Sequence, residues 1–144
     1  MSNTTQVVRA FEKCVRDQLP ELTAGLRGGV PDGYGNYVVL DFPWPANPSR
    51  CSLGTFYSPE DCFEIGVSVS GTRGPAERQI LIGNNLPSAI SATVDLLQDI
   101  VSSRILVDVF GGRFLWFKPS YVATFREASR SPRGRIVETI RWTA

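Results

Sequence analysis

The sequence contains no histidine, and this absence excludes several kinds of catalytic and metal site together. Histidine is the general base of the Ser-His-Asp and Cys-His hydrolases and the commonest nitrogen ligand of protein-bound zinc. Other patterns that activate a serine are missing as well, because neither a Ser-x-x-Lys sequence nor a Gly-x-Ser-x-Gly elbow occurs. The sequence therefore predicts no catalytic residue set.

Lysine, cysteine and long apolar segments are also scarce. Only two lysines accompany thirteen arginines, a bias that reflects either GC-rich coding or the forked recognition of carboxylates and phosphates by guanidinium groups. The three cysteines, Cys14, Cys51 and Cys62, form no metal motif, and their odd number is typical of a reducing compartment. No apolar run approaches the roughly 20 residues that span a bilayer, and charged residues interrupt the N-terminal segment between Arg9 and Arg16. We therefore expect a cytoplasmic protein that has no membrane segment and no cofactor.

The composition that is present is that of a globular domain. Of the 144 residues, 42% are hydrophobic and 20% are charged, and the net charge is +1. A chain of this length and composition can bury a core. Because no internal repeat or long linker divides it, we predict a single domain over residues 1–144.

Apolar spacing and turn residues predict where the helices and strands lie. Apolar residues at three- and four-residue steps predict helices over residues 4–19 and 87–102, the second capped by Asn84 or Asn85, and a third over 119–129. Strands are predicted over residues 36–42, 51–57, 62–69, 78–83, 105–110, 114–117 and 135–142. Because short loops join most consecutive strands, we predict an α+β domain. It has a mostly antiparallel sheet of about six or seven strands, with two or three helices packed on one face.

The first hairpin has a register that bears on the cysteines. A turn over residues 58–61 places Tyr57 opposite Cys62. In that register Cys51 lies opposite Ser68, at the far end of the hairpin from Cys62. The two thiols are then too far apart to form a disulfide.

Glycines mark two other connections. Five glycines in residues 25–35 follow a helix and precede a strand, the reverse of the order in a phosphate-binding loop, so they predict a mobile connection. Gly111 and Gly112 predict the two-residue turn of a second hairpin, in which Val107 lies opposite Trp116.

In the absence of histidine, catalysis could still depend on carboxylates. Four of them lie on predicted strands or at strand ends: Asp41, Glu64, Asp108 and Glu138. Glu138 has the parity of its apolar neighbours in the last strand, so we expect it to point inward and to need a partner. The candidate partners are Arg113, Arg135 and Arg141. Since no spacing fixes a distance between two carboxylates, ion pairs that only stabilise the fold are the simpler interpretation.

Charge is distributed unevenly along the chain. Residues 1–103 contain seven basic and eleven acidic side chains, a net charge of −4, whereas residues 104–144 contain eight and three, a net charge of +5. The densest basic tract sets four arginines against a single glutamate: Arg126, Arg130, Arg133 and Arg135. Such a tract is either a solvated turn or an anion-binding site for an acidic protein or a nucleic acid. Nucleic acid is the weaker interpretation, because the nearby aromatic residues have the spacing of core residues.

Acidic residues cluster earlier in the sequence. Five carboxylates lie around the first hairpin and on the second long helix: Glu60, Asp61, Glu64, Asp95 and Asp99. Tyr34 and Tyr57 are expected to be exposed beside them. An acidic surface with aromatic anchors suits a basic protein partner, although the same residues also describe an ordinary solvated surface.

These features predict binding rather than turnover. We expect a non-catalytic protein-binding module, in particular a small bacterial inhibitor or immunity-type protein that neutralises a toxin by binding it. An acidic segment can steer association with a basic toxin. The alternatives are a small carboxylate-dependent enzyme and a nucleic-acid binder that uses the arginines of residues 126–135.

Overall fold

The fold is taken from a computed structural model, which describes residues 4–59, 61–112 and 120–143. The helices are α1 (Thr4–Gln18), a short 3₁₀ helix (Pro20–Gly25) and α2 (Leu86–Val101). The strands are β1 (Leu26–Pro31), β2 (Tyr37–Pro43), β3 (Cys51–Ser58), β4 (Cys62–Val69), β5 (Ala76–Leu81), β6 (Ile105–Gly112), β7 (Ser120–Glu127) and β8 (Ile136–Ile140). No helix in these ranges is long and apolar enough to cross a membrane.

The strands form two antiparallel sheets. The first has the sequential order β1-β2-β3-β4-β5, and the second has the order β7-β6-β8. Every pair of adjacent strands within them is antiparallel. The predicted α+β class with a mostly antiparallel sheet is therefore confirmed, although the described part of the chain forms eight strands that divide between two sheets.

Both long helices bury an apolar stripe in a common core with the five-stranded sheet. On α1 the Phe11 ring stacks on Phe63 of β4, with 5.5 Å between the ring centroids. The start of α2 is capped as predicted, since the Asn85 side chain accepts a hydrogen bond from the Ser88 N–H at 3.1 Å. Helix α2 packs against β4, β5 and β6, so it contacts both sheets.

The first hairpin forms, but its register differs from the prediction by one residue. Ser58 rather than Tyr57 lies opposite Cys62, and Tyr57 lies opposite Phe63. The connection therefore spans residues 59–61 instead of 58–61. Cys51 and Cys62 still lie at opposite ends of the hairpin, and both are free thiols, as expected.

Part of the glycine-rich segment is a strand rather than the predicted mobile connection, although Gly33 and Gly35 lie in the connection between β1 and β2. Residues Leu26–Pro31 form β1 and pair with β2 at the edge of the five-stranded sheet. Gly28 and Gly29 have φ angles of 69° and 76°, and the register with β2 shifts between Leu26 and Val30. The glycines thus supply an irregularity within the strand, which their positive φ permits, instead of ending it.

The second predicted hairpin is wrong. Strand β6 continues through the two glycines and pairs with β7, so Val107 lies opposite Phe125 and not Trp116, which is outside the described residues. A Cβ at Gly111 would collide with the Ser120 carbonyl oxygen, so the glycine allows β7 to approach closely and does not form a turn.

The helix predicted over residues 119–129 is also wrong, because residues Ser120–Glu127 form β7. Ala123 is buried and Tyr121 and Phe125 are half-buried, whereas Val122 and Thr124 are exposed. This alternation has the two-residue period of a strand, and it outweighs the helical spacing of the same apolar residues.

Candidate binding groove

The two sheets meet along their edge strands β5 and β7. The Arg73 N–H donates a hydrogen bond to the Tyr121 carbonyl oxygen at 2.8 Å, which joins the loop before β5 to the start of β7. Further along the two strands, the Arg78 guanidinium lies over the Phe125 ring, 5.7 Å from its centroid. A groove opens around this contact, between β5, α2 and the end of β7.

The groove consists of two adjoining cavities. The first, here named the arginine chamber, has a volume of about 650 Å³ and is lined by Arg78, Asp108, Phe110, Thr124, Phe125, Arg126, Glu127, Arg130, Ser131, Pro132 and Arg133. The second, the helix chamber, has a volume of about 740 Å³ and is lined by Arg78, Ile80, Ala92, Asp95, Leu96, Asp99, Arg104, Ile105, Glu127, Ala128 and Ser129. Arg78 and Glu127 line both, so the chambers form one groove.

A buried ion pair forms the floor of the arginine chamber. Asp108 on β6 is fully buried and accepts a hydrogen bond from Arg126 Nε on β7 at 2.6 Å and another from Thr139 Oγ1 on β8 at 2.8 Å. These contacts join all three strands of the second sheet. A buried carboxylate without such partners would be strongly unfavourable, so the charge of Arg126 is needed for the fold.

Arg126 also positions the loop between β7 and β8, which spans residues 128–135 and is named here the arginine loop. One terminal nitrogen of Arg126 donates to the Arg130 carbonyl oxygen at 2.7 Å. At the other end of the loop, Gly134 lies against the Phe110 ring. The loop is thereby held against the second sheet, and Arg130 and Arg133 border the chamber.

Two of the predicted anion-binding arginines face the chamber with guanidinium groups that a ligand can reach. Arg130 is 76% exposed and pairs only with the neighbouring Glu127, at 3.1 Å, and Arg133 is exposed. Exposed ion pairs are weak. Arg126 is held by Asp108, and Arg135 does not line the chamber. The chamber lining has four arginines and two carboxylates, a net charge of +2.

The helix chamber has the opposite charge. Asp95 and Asp99 lie one turn apart on α2, and the Asp99 carboxylate accepts a hydrogen bond from Arg104 Nε at 2.8 Å. Three carboxylates and two arginines line this chamber, a net charge of −1. Its apolar wall is formed by Ile80, Ala92, Leu96 and Ile105.

The predicted acidic surface is not continuous in the structure. Asp61 borders a separate cavity of about 360 Å³ beside Pro59 and Leu86, Glu64 lies on the outer face of the five-stranded sheet, and Asp95 and Asp99 line the groove. Glu60 lies outside the described residues.

The expectation that Tyr57 is an exposed anchor is wrong. Tyr57 is 4% exposed, because the observed register places it opposite Phe63, with 5.5 Å between the ring centroids. Burial raises the pKa of its phenol. Tyr34, by contrast, is 90% exposed, as expected.

Glu64 belongs to a carboxylate pair that the sequence did not reveal. Burial raises the pKa of Glu64, and a hydrogen bond and the charge of Glu77 raise it further, while a hydrogen bond from Gln79 lowers it. Glu77 and Gln79 lie opposite Gly66 and Glu64 in the register between β4 and β5. Glu64 borders a cavity of about 220 Å³, but Glu77 is exposed, so the pair remains open to solvent.

The two buried cysteines have environments that suppress thiolate formation. Burial raises the pKa of the Cys51 thiol and, together with the nearby Asp61 and Glu64 charges, that of Cys62. A thiol is nucleophilic as the thiolate, so both residues are best described as small apolar core residues.

Glu138 has a different partner from those predicted. Its carboxylate binds Arg50, with both oxygens 2.6 Å from one guanidinium nitrogen, and this hydrogen bond raises the pKa of Arg50. Arg50 lies in the connection between β2 and β3, 88 positions away. Parity along one strand indicated a need for a partner, but no local pattern identifies a residue at that distance.

The groove contains residues that were not singled out from the sequence, above all Arg78 and Arg104. Arg78 lies opposite the buried Ile65 in the sheet, so it occupies the core-facing parity of β5. A charged residue at a core-facing position of a predicted strand could have been recognised from the sequence as a candidate site residue. Arg104 pairs with Asp99 only because the chain turns back after α2.

Comparisons with protein-family models, curated proteins and solved structures gave no significant match. Within the described ranges, no three histidine, cysteine, aspartate or glutamate side chains are grouped so that they could hold a metal ion. Function must therefore be inferred from the chemistry of the groove.

Proposed function

We propose that the protein is a non-catalytic protein-binding module and that the groove is its binding surface. The observation that carries this proposal is that a basic chamber adjoins an acidic chamber with an apolar wall. Protein interfaces combine an apolar centre with a polar rim whose charges complement the partner. Strands β5, β6 and β7 and helix α2 supply most of the lining residues, and Arg126 holds the arginine loop through the Arg130 carbonyl oxygen.

Ion pairing within the groove supports binding over turnover. Three of its four carboxylates have an arginine partner: Asp99 with Arg104, Asp108 with Arg126 and Glu127 with Arg130. A catalytic carboxylate pair needs two such groups close to each other and to a substrate. In the groove, Asp95 and Asp99 lie one turn apart, but Asp99 is paired with Arg104, and the other two carboxylates are paired with arginines as well.

A small bacterial toxin inhibitor is the more specific form of the proposal. Its support is the net charge of −4 in residues 1–103, of which Asp95 and Asp99 face the groove and would steer a basic toxin to it. The free state of Cys14, Cys51 and Cys62 supports action in the reducing cytoplasm.

A carboxylate-dependent enzyme ranks second. Its support is the raised pKa of Glu64 beside Glu77. The exposure of Glu77 weighs against it, because a catalytic acid is normally shielded from water.

The test is affinity capture from an extract of the source cells at low and at high salt. Three immobilised proteins are compared: the wild type, Arg130→Glu with Arg133→Glu in the groove, and Arg9→Glu with Lys13→Glu on α1. Arg9 and Lys13 are exposed and do not line the groove, so the second pair changes net charge equally.

We expect the wild type and the α1 variant to retain the same protein and the groove variant to lose it, with weaker retention at high salt. No retained protein, or equal retention by all three, would contradict the proposal. Retention of nucleic acid by the wild type would favour the nucleic-acid alternative instead.

A further inference from the structure

The groove has unpaired charge of opposite sign at its two ends. Among the described residues, Arg133 in the arginine chamber and Asp95 in the helix chamber form no ion pair or hydrogen bond through their side chains. Arg78, between them, contacts the Phe125 ring through its guanidinium. A ligand that extends through both chambers would therefore meet an unpaired cation in the arginine chamber, and an apolar wall with an unpaired carboxylate in the helix chamber.

The apolar wall lies in the helix chamber, together with Asp95. Ile80 of β5 is half-buried, and Leu96 of α2 and Ile105 of β6 are buried. These side chains come from three different elements that pack together, so the wall is rigid. Cavities of 300–1,000 Å³ hold ligands with several side-chain-sized groups, and each chamber falls in that range.

We infer that the groove takes one segment of a partner protein in a single direction. The segment has acidic side chains at the end that enters the arginine chamber, apolar side chains against Ile80 and Leu96, and a basic side chain beside Asp95. This inference rests on the proposed function and adds the chemistry and the polarity of the partner segment.

The chemical reasons are specific to each end. Arg130 and Arg133 offer guanidinium forks that match carboxylate geometry. Asp95 and Asp99 offer two carboxylates one helical turn apart. Of these, only Asp99 has an arginine partner among the described residues. A segment with the reversed order would place like charges together at both ends, which is the usual source of discrimination between partners.

The test uses a library of random twelve-residue peptides displayed on phage and selected on the full wild-type chain. We expect the enriched sequences to have acidic residues in one half, and apolar residues with a basic residue in the other half. The leading peptide is then synthesised together with a version in reversed order, and their dissociation constants are compared.

Charge-reversal variants assign the polarity. Arg133→Glu should weaken the leading peptide about tenfold, and Asp95→Lys should do the same, while Arg9→Glu on α1 should leave its affinity unchanged. A peptide whose acidic end is replaced by lysine should bind the Arg133→Glu protein better than it binds the wild type.

The possible contrary outcomes distinguish failure of this inference from failure of the proposed function. Selection of peptides without this charge order, equal binding of the reversed peptide, or binding that ignores Arg133→Glu and Asp95→Lys would overturn the inference. If no peptide is enriched although a partner protein is captured through the groove, the inference also fails but the proposed function stands. Failure of the capture experiment itself would overturn the proposed function.

Discussion

The two sheets meet at two places that differ in character. At one, Trp44, fully buried after β2, donates its indole N–H to the Arg141 carbonyl oxygen at 2.5 Å and contacts the Trp142 ring edge to face, with 4.8 Å between centroids. At the other, β5 and β7 meet through a backbone hydrogen bond and then enclose a groove lined by arginines and carboxylates. The tryptophan junction buries both indole rings, whereas the groove junction leaves charged groups within reach of a ligand. This difference indicates that the first junction stabilises the fold and that the second is free to bind.

The largest effect is expected at the tryptophan junction. Trp44→Ala removes a fully buried side chain and should lower the free energy of unfolding by about 3–5 kcal/mol, measured by chemical denaturation. If that variant does not fold, Trp44→Phe should fold and lose roughly 1–2 kcal/mol, because the Arg141 carbonyl oxygen loses its donor. Unchanged stability in both variants would mean that this junction does not hold the sheets together.

A smaller but substantial loss is expected at the floor of the groove. Asp108→Asn removes the charge that compensates Arg126 and should cost roughly 2–4 kcal/mol. It should also release the arginine loop, since Arg126 holds the Arg130 carbonyl oxygen. Limited proteolysis should then cut within residues 128–135 faster than in the wild type. If the variant loses stability but is not cleaved faster, then Arg126 does not hold the arginine loop in place.

The prediction for Glu64 concerns pH rather than a fixed energy. Its pKa is raised in the folded protein, so its stabilising contribution is complete below the ordinary glutamate pKa and is lost as pH rises through the folded-state pKa. Glu64→Gln should therefore make the protein more stable than the wild type at pH 7, and the difference should shrink towards pH 4. Glu77→Gln should change the profile in the same direction, because it removes the charge that opposes Glu64. A difference that does not vary with pH would contradict the shift.

The smallest effect on stability is expected at the open end of the groove. Arg130→Ala with Arg133→Ala should change the free energy of unfolding by less than about 0.5 kcal/mol, because the side chains are exposed. The same double variant should lose the captured partner. Gel-shift titrations with RNA and DNA should show no salt-dependent binding by the wild type; a shift abolished in the double variant would instead identify nucleic acid as the partner.

Local patterns in the sequence predicted the parts of the fold that depend on neighbours in the chain. The three- and four-residue spacing located α1 and α2, and Asn85 marked the start of the second helix. The elements that were predicted wrongly are those whose local sequence pattern fits two different structures. The glycines of β1 fit a connection as well as a strand, and the apolar residues of β7 fit a helix as well as a strand.

The same limit applies to the groove. The sequence identified Arg130 and Arg133 as a basic tract and Asp95 with Asp99 as an acidic pair, but it gave no reason to place them in one groove. Their meeting depends on the packing of β5 between α2 and β7, a long-range contact. Likewise Asp108 was identified as a carboxylate on a predicted strand, but strand pairing between β6 and β7 determines that its partner is Arg126.

Hydrogen exchange, measured by mass spectrometry on the chain alone and with its captured partner, locates the surface that binds the partner. If the groove junction binds the partner, protection should increase in β5, α2 and residues 124–133, and should stay the same in α1 and around Trp44. Protection confined to α1, to the outer face of the five-stranded sheet or to the tryptophan junction would contradict the assignment of the groove as the binding surface.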